Sequence, residues 1–207
     1  MKTEIIEPNP LLIEYVKISN ALWTEFDSIT QLLAKSEAIA ADEWHYVMSN
    51  LEQNILLLQR LEEKGLLQDE VNICDAGIGL GTALFDLYLQ SKEIKNKKFS
   101  FSGIEKQEKY INYFNEKLSH FWANDLKVIE GDIMDQNYSG YNIIYSYSPY
   151  RSPRDLVNYY TKLKKDISPG SLIIENREKG IGLDSTLTMV EGLEKIQIDD
   201  IFVFRKL

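Results

Sequence analysis

The stretch Val71-Asn72-Ile73-Cys74-Asp75-Ala76-Gly77-Ile78-Gly79-Leu80-Gly81 decides the fold of this chain. Its first four residues are mostly apolar and predict a short buried strand, which an acid ends and three alternating glycines follow. A helical pattern begins at Thr82. Glycines at such a place permit positive φ and close approach of a ligand to the main chain, while the new helix offers unpaired N–H groups. The stretch therefore predicts a nucleotide-type binding site.

The spacing of the glycines limits which class of ligand the site is expected to bind. A dinucleotide fingerprint reads Gly-x-Gly-x-x-Gly, whereas here the third small residue arrives one position early, at Gly81. Asp-x-Gly-x-Gly-x-Gly after a strand instead resembles motif I of the class I S-adenosylmethionine-dependent methyltransferases. The resemblance implies that S-adenosyl-L-methionine is the cofactor and that the motif binds it through the residues Asp75, Ala76, Gly77, Gly79 and Gly81.

Composition limits the partners and the compartment. The 207 residues are 44% hydrophobic and can bury a sizeable core. The formal charge of −9 works against nonspecific binding to nucleic acid or to an anionic membrane, so neither partner is expected. The single cysteine, Cys74, lies in the predicted strand, and the first ten residues lack the apolar region of a secretory signal. We therefore expect a cytoplasmic protein; its oligomeric state is not indicated.

Two segments of different pattern suggest a domain division. Residues 11–66 carry apolar residues at helical spacing and predict an N-terminal helical extension of two or three helices, ending at Lys64-Gly65. This extension, residues 1–66, either enlarges the neighbouring core or also covers the active site as a substrate lid. Trp44-His45-Tyr46 is its candidate substrate segment. Residues 67–207 form the predicted cofactor-binding, methyltransferase-like domain.

From residue 71 onward, predicted strands and helices alternate. The pattern predicts an α/β fold: a Rossmann-like, mostly parallel sheet of about seven strands with a C-terminal antiparallel hairpin, preceded by the helical extension. The second strand, 99–104, is closed by Glu105. An acid at the end of the second strand of such a sheet lies beside the first loop, and its two oxygens suit the vicinal hydroxyls of a ribose.

The next elements add a second acid. Residues 107–123 predict one helix with an apolar stripe and with His120 at its exposed C-terminal end. A third strand, 126–129, runs into Glu130-Gly131-Asp132-Ile133. The Gly-Asp pair resembles the same family, which uses that acid and the N–H after it for the adenine. The resemblance thus implies Asp132 and Ile133 as cofactor contacts, with Lys106 beside the second-strand acid.

A polar, aromatic loop follows the fourth predicted strand, 141–145. Ligands of open α/β sheets lie at such strand ends, so the segment from Tyr145 to Tyr150 is expected to face the acceptor, with Tyr145 also on the cofactor. Ser148-Pro149-Tyr150 resembles the Asp/Asn-Pro-Pro-Tyr loop of family members that methylate amino nitrogens, although Ser replaces the first residue and one Pro is missing. Tyr147, Ser148 and Tyr150 are therefore the candidate catalytic residues. Packing roles for the two tyrosines stay open.

Further along, Arg151 and Arg154 could bind an anionic substrate group or pair with carboxylates of the protein. A helix over 153–166, a fifth strand over 171–175 and a β-hairpin from Leu193 to Phe204 complete the predicted sheet. No metal site is predicted.

The resemblance implies methyl transfer to an acceptor that the sequence does not identify, and whether N, O, S or C is methylated stays open. An amine nitrogen on a small molecule or on a protein is one candidate. Two alternatives stay open. Asn142 stands where many members of the family have Asp, and with Ser148 it keeps open a non-catalytic protein that binds a nucleoside cofactor, or one that makes polyamine-like products from a related nucleoside. The second alternative, an NAD-dependent oxidoreductase, is disfavoured by the glycine spacing.

Overall fold

The computed structural model describes residues 9–21, 56–123, 125–147, 153–176, 190–198 and 201–207. The chain forms two compact units, 1–43 and 44–207. In the first unit, residues 10–21 are helical (α1), with Pro10 in the first turn. The Asn9 side chain caps this helix, because its Oδ1 accepts the Leu11 N–H at 2.9 Å. The proposed division after residue 66 stays a prediction, and Trp44, His45 and Tyr46 lie outside the described residues.

The second unit is an α/β fold, as the alternating pattern predicts. Its described helices are α2 (Leu57–Glu63), α3 (Thr82–Ser91), α4 (Glu108–Tyr113) and α5 (Pro153–Asp166). Its described strands are β1 (Glu70–Ala76), β2 (Lys98–Glu105), β3 (Leu126–Glu130), β4 (Ile143–Tyr147), β5 (Leu172–Asn176), β6 (Leu193–Ile198) and β7 (Ile201–Lys206). None of the described helices is long and apolar enough to cross a membrane.

These strands form a seven-stranded sheet in the order β3-β2-β1-β4-β5-β7-β6. The pairs from β3 to β5 are parallel, and β7 lies antiparallel to both β5 and β6. The C-terminal antiparallel hairpin predicted from the sequence is therefore confirmed. Because the chain builds β1, β2 and β3 outward and then returns to place β4 beside β1, the strand order reverses at the β1–β4 junction. Ligands of open α/β sheets bind at such a junction.

Helices cover both faces of the sheet. On one face, Leu156, Tyr159 and Leu163 of α5 belong to one buried cluster with Ile144 and Ile173 of the sheet. On the other, Tyr88 of α3 packs edge-on against Phe101 of β2, with ring centroids 5.6 Å apart. Apolar burial on both faces explains why the central strands read as nearly continuous apolar runs.

The prediction of one continuous α-helix between the second and third strands is wrong. Residues 107–123 do not form a single α-helix: after α4, the chain makes a π-helical turn over Phe114–Leu118 and a 3₁₀ turn over Ser119–Trp122. Each change shifts the helical phase, and the segment ends at Ala123 in the left-handed conformation, with φ of 47°. With these changes, Trp122 packs against Phe85, Tyr88 and Phe101, and the ring centroids of Trp122 and Phe85 are 5.2 Å apart. His120 is exposed at this end, as predicted.

The fourth strand begins later than predicted, at Ile143, and it continues to Tyr147. Asn142, the residue before it, is bound through its side chain to the amino end of β1. Its Oδ1 accepts the Asn72 N–H at 2.8 Å, and its Nδ2 donates to the Glu70 carbonyl at 2.6 Å. Tyr145 therefore lies inside the strand and not in the loop that follows it.

Helix α2 ends as its sequence predicts. Gly65 has φ of 65°, its N–H donates to the Glu62 carbonyl, and the Leu66 N–H donates to the Leu61 carbonyl. This left-handed glycine closes the helix in a Schellman arrangement. At the other end of α2, the Leu58 N–H donates to Oε1 of Gln90 on α3 at 3.0 Å. The two helices are thus joined by a side chain.

Candidate cofactor site

The glycine loop lies at the carboxyl end of β1, beside the point where the strand order reverses. Its glycines all have positive φ: 88° at Gly77, 54° at Gly79 and 74° at Gly81. These angles are strained for residues with a Cβ, so the loop requires glycine at all three positions. Around Gly77, no atom of the described residues beyond its chain neighbours lies within 4 Å of where a Cβ would be. The main chain at Gly77 is therefore uncovered on this side by the described residues, and its contact with the cofactor stays a prediction.

The loop is tied to the end of β2. The N–H groups of Gly77 and Ile78 both donate to the Ile104 carbonyl, at 3.0 and 2.9 Å. Gly103 permits this approach, because a Cβ there would lie 2.1 Å from Cδ1 and 2.8 Å from Cβ of Ile78. Sequence reasoning missed this pair. A glycine inside an apolar strand was the available signal, since it often marks the close approach of another backbone.

Glu105 lies buried beside this loop. Its Oε2 accepts the Gly79 N–H at 2.9 Å, and its Oε1 accepts the Gln107 N–H at 2.9 Å. The carboxylate thus fixes the glycine loop and the start of α4 together. Each oxygen keeps a further lone pair, so the group can still accept two hydroxyl donors. The placement agrees with the expected ribose contact, which itself stays a prediction.

Asp75 is the second buried acid at the loop. It pairs in register with Gly103, so its side chain points to the same sheet face as that of Glu105, two residues further along β2. Among the described residues, no hydrogen bond to its carboxylate is found. Burial, and secondarily the charge of Glu105, raise the pKa of Asp75 to about 8. Ala76, the last residue of β1, is also buried.

Asp132 follows β3 in a tight turn. Its Oδ1 accepts the Met134 N–H at 2.8 Å, and the Gly131 N–H donates to the Glu105 carbonyl at 2.9 Å. The ends of β2 and β3 are therefore joined, and Asp132 stands on the β3 side of Glu105. Ile133 is half-buried in the same turn, and Lys106 is exposed beside Glu105. The structure thus brings the predicted acids to one edge of the sheet.

Only part of the segment that is expected to face the acceptor, residues 145–150, lies within the described residues. Tyr145 pairs in register with Asp75 and is fully buried, while Tyr147 is the half-buried last residue of β4. Ser148, Tyr150 and Arg151 lie outside the described residues, and Arg154 is exposed on α5. The assignments of these residues stay predictions.

A buried polar pair that sequence reasoning missed lies on the other face of the same edge. Ser146 of β4 and Glu175 of β5 are in register and buried. Tyr160 of α5 donates its hydroxyl to Oε1 of Glu175 at 2.6 Å. The bond fixes α5 against the ends of these strands, since a buried carboxylate needs a donor. Tyr160 and Glu175 are 15 positions apart in sequence, so no local pattern predicts their hydrogen bond.

No protein-family model matches this chain, and no curated protein matches its sequence. Solved structures do match its fold. A protein of Listeria monocytogenes described as a class I S-adenosylmethionine-dependent methyltransferase aligns with a TM-score of 0.58 and 13% identity, over 77% of this chain and 60% of its own. The fold is that of the class I methyltransferases.

Two further proteins with the methyltransferase fold extend the comparison. An S-adenosylmethionine-dependent methyltransferase of Clostridium acetobutylicum aligns over 89% of this chain and 68% of its own, with a TM-score of 0.52 and 12% identity. A sarcosine dimethylglycine methyltransferase of Galdieria sulphuraria aligns over 71% and 63%, with a TM-score of 0.53 and 19% identity. The chain thus spans about three fifths of the length of the Listeria and Galdieria proteins.

Proposed function

We propose that the protein is an S-adenosylmethionine-dependent methyltransferase. The observation that carries the proposal is the pair of buried carboxylates, Asp75 and Glu105, at a glycine loop on the strand reversal of a methyltransferase-type sheet. Two buried acids at one loop repel each other, and a ligand that carries positive charge relieves this repulsion. S-adenosylmethionine carries such charge on its sulfonium and ammonium groups.

The residues present fit this cofactor. Gly77 leaves the main chain open to it, and Glu105 keeps lone pairs for ribose hydroxyls. Asp132, on the β3 side, is the proposed adenine contact, together with the main chain of Ile133. When bound, the cofactor supplies an activated methyl group on sulfur. The protein then supplies placement of the acceptor, and orientation alone can lower the barrier by several kcal/mol, on the order of 7 or more.

The same geometry argues against a nicotinamide cofactor. A dinucleotide places its diphosphate at the glycine loop and the first turn of the helix. Here the Gly79 N–H is already bonded to Glu105, and Asp75 lies beside the same loop. A diphosphate would bring further negative charge to the buried Asp75, whereas an acid in the position of Glu105 is common to both kinds of site. We therefore favour a methyltransferase over an oxidoreductase.

The acceptor is proposed to lie at the end of β4, where Tyr147 and the segment through Ser148 and Tyr150 follow the strand. An amine nitrogen on a small molecule or on a protein is the proposed acceptor. The protein's net charge of −9 argues against a nucleic acid. One objection to turnover is weaker than the sequence suggests: Asn142 binds β1 at the amino end of the sheet, away from the glycine loop.

The test is a calorimetric titration with S-adenosylhomocysteine and, in parallel, with NAD. We expect S-adenosylhomocysteine to bind at about 100 μM or tighter, about −5.5 kcal/mol, and NAD not to bind. Binding of NAD alone would overturn the proposal in favour of an oxidoreductase. Binding of S-adenosylhomocysteine, with no transfer of labelled methyl from S-adenosylmethionine to the amines tested, would favour the non-catalytic alternative.

A further inference from the structure

The segment between β3 and β4, residues 131–142, forms no helix, although parallel strands are usually joined through one. It packs instead on the sheet face that α5 covers. Tyr138 of this segment is fully buried in the same cluster as Leu163 of α5, and Ile133 packs against that cluster. The proposed adenine contacts, Asp132 and Ile133, therefore lie in a segment whose position depends on α5.

The first part of this segment, the 131–136 turn, closes on itself. Oδ1 of Asp132 accepts the Met134 N–H at 2.8 Å. The Gln136 side chain then returns to the start of the turn, where a Cβ on Gly131 would overlap its Nε2. The direction of the Asp132 carboxylate thus depends on how firmly Gln136 is held.

Two side chains hold this turn in place. Nζ of Lys162, on α5, donates to the Gln136 carbonyl and to Oδ2 of Asp166. The same ammonium group lies 5.1 Å from the centre of the Tyr138 ring. The Tyr138 hydroxyl donates to the Ile133 carbonyl at 2.9 Å. The middle and the end of the turn are therefore both fixed, one by Tyr138 and the other by Lys162.

The pair of Lys162 and Asp166 is not explained by helix stability. Asp166 is the last residue of α5, where the helix dipole disfavours negative charge, and an acid four residues after a lysine is the less favourable order. The two side chains are nevertheless only 21% and 19% exposed. Fixing a lysine side chain costs rotamer freedom. The bond to Asp166 offsets this cost and directs the ammonium group to the Gln136 carbonyl.

We propose that Lys162 and Tyr138 are positioning residues of the adenine subsite. They hold the 131–136 turn in the place where the Asp132 carboxylate and the Ile133 N–H meet the base. The inference rests on the proposed function. Both residues act through the main chain of the turn, since groups that contact a ligand must be held by supporting bonds to within about 0.5 Å. Lys162 and Tyr138 thereby determine how well the site distinguishes adenine from a base without its amino group.

The experiment is calorimetric titration with S-adenosylhomocysteine and with S-inosylhomocysteine, in which a carbonyl replaces the adenine amino group. We expect the wild type to bind S-adenosylhomocysteine at least about tenfold more tightly, because the other ligand loses a hydrogen bond to the charged Asp132. Lys162→Met keeps an unbranched side chain but has no donor. It should weaken S-adenosylhomocysteine binding about threefold or more and leave S-inosylhomocysteine binding unchanged, so the preference falls by the same factor.

Three further variants complete the test. Lys165→Met is the matched control, because Lys165 is an exposed lysine of the same helix; its two affinities should stay within about twofold of wild type. Lys162→Arg keeps a cationic donor and should retain more of the preference than Lys162→Met. Tyr138→Phe removes only a hydroxyl and should lower the preference as Lys162→Met does. The test therefore does not depend on the folding of Lys162→Met.

The outcomes separate this inference from the proposed function. If Lys162→Met and Tyr138→Phe lower the free energy of unfolding in urea but keep the wild-type preference, the two residues only stabilise the fold. The inference is then overturned, and the methyltransferase proposal stands. Equal binding of the two ligands by the wild type also overturns it, because the turn then does not recognise the base. If S-adenosylhomocysteine does not bind the wild type, both fail.

Discussion

At the scale of single residues, Glu105 combines an observed structural task with a proposed binding task. Its carboxylate accepts the N–H groups of Gly79 and Gln107, and its remaining lone pairs are available to the proposed ribose. We predict that Glu105→Ala weakens S-adenosylhomocysteine binding more than tenfold, because about 1.4 kcal/mol or more of hydrogen bonding is lost. Calorimetric titration measures the change.

Glu108→Gln is the matched control for Glu105→Ala. Glu108 is an exposed acid in the first turn of α4, three residues away, and its loss also removes one negative charge. We expect its affinity for S-adenosylhomocysteine to stay within about twofold of wild type, since surface substitutions away from a site have small effects. Equal affinities of the wild type and Glu105→Ala would refute the ribose assignment.

Gly103 gives a second prediction at this scale. A Cβ at this position overlaps Cβ, Cγ1 and Cδ1 of Ile78, so a rotation of the end of that side chain cannot relieve the contact. We predict that Gly103→Ala lowers the free energy of unfolding by about 1–3 kcal/mol. Urea denaturation measures this free energy, with Gly140→Ala as control because no atom in the described part of the chain, apart from its chain neighbours, lies within 4 Å of that Cβ position.

A double-mutant cycle tests the cause of the Gly103→Ala effect. If the overlap with Ile78 is responsible, Ile78→Ala should cost less in the Gly103→Ala background than in the wild type, giving a coupling energy of about 0.5 kcal/mol or more. Additive effects of Gly103→Ala and Ile78→Ala would mean that Cγ1 and Cδ1 of Ile78 are not the atoms that resist the methyl group.

These residues show what sequence could and could not provide at the site. Asp75, Glu105 and Asp132 follow strands that their apolar neighbours predict, so their gathering at one edge follows from parallel topology. The fit of Ile78 over Gly103 depends on packing between residues 25 positions apart. Local pattern carries no information about such a contact, because period and propensity describe only the nearest neighbours along the chain.

At the scale of elements, the α2–α3 pair is joined through Gln90. Its Nε2 donates to Asp86 Oδ2 at 3.1 Å, while its Oε1 accepts the Leu58 N–H of α2. Asp86 is 8% exposed, and burial raises its pKa to about 7, although the bond from Gln90 lowers it. The unfolded carboxyl ionises near pH 4. Between about pH 4 and about pH 7, Asp86 therefore holds a proton in the folded state and has lost it in the unfolded state.

Stability should therefore fall as the pH rises from about 4 to about 7 and then level off. We predict that Asp86→Asn, which still accepts from Gln90 but carries no charge, is more stable than wild type at pH 8 by about 1–4 kcal/mol and equally stable near pH 4. Asp75 adds a decline of the same sign up to about pH 8 in both proteins, so the difference isolates Asp86.

Urea denaturation at pH 4, 6 and 8 checks the Asp86 prediction, with Glu93→Gln as control. Glu93 lies exposed just beyond the end of α3, and its substitution should change stability by less than about 0.5 kcal/mol at every pH. A stability difference between Asp86→Asn and wild type that does not vary with pH would show that ionisation of this group does not oppose the packing of the two helices.

The element scale also explains the two boundary errors. The sequence predicts helix and strand type correctly around Phe114 and Ile143, because periodicity is a local property. The π-helical turn at Phe114–Leu118 accompanies the packing of Trp122 against α3, and β4 starts beside Asn142, whose side chain is bonded to β1. Both contacts join segments far apart in the sequence, so neither is visible in a window of neighbouring residues.

For the whole molecule, Cys74 offers a single reporter of global opening. It is the only cysteine of the chain, it is fully buried in the central strand β1, and burial together with Asp75 raises the pKa of its thiol. A thiol reagent therefore reaches it only when the sheet opens. Because β1 lies between β2 and β4, exposure of Cys74 also dismantles the proposed cofactor site.

We predict that S-adenosylhomocysteine at one hundred times its dissociation constant slows labelling of Cys74 about 100-fold, because a ligand that binds only the folded state adds about 2.7 kcal/mol at that ratio. The absorbance of the anion released from a chromogenic disulfide measures the rate. In Glu105→Ala, the same ligand concentration should protect at least tenfold less, since its affinity falls by that factor. Labelling that the ligand leaves unchanged in the wild type would separate opening of β1 from ligand binding. It would mean that the ligand binds elsewhere. Local opening of β1 with the proposed site intact is not expected, because exposure of Cys74 would displace its neighbour Asp75, which pairs with Gly103 of β2.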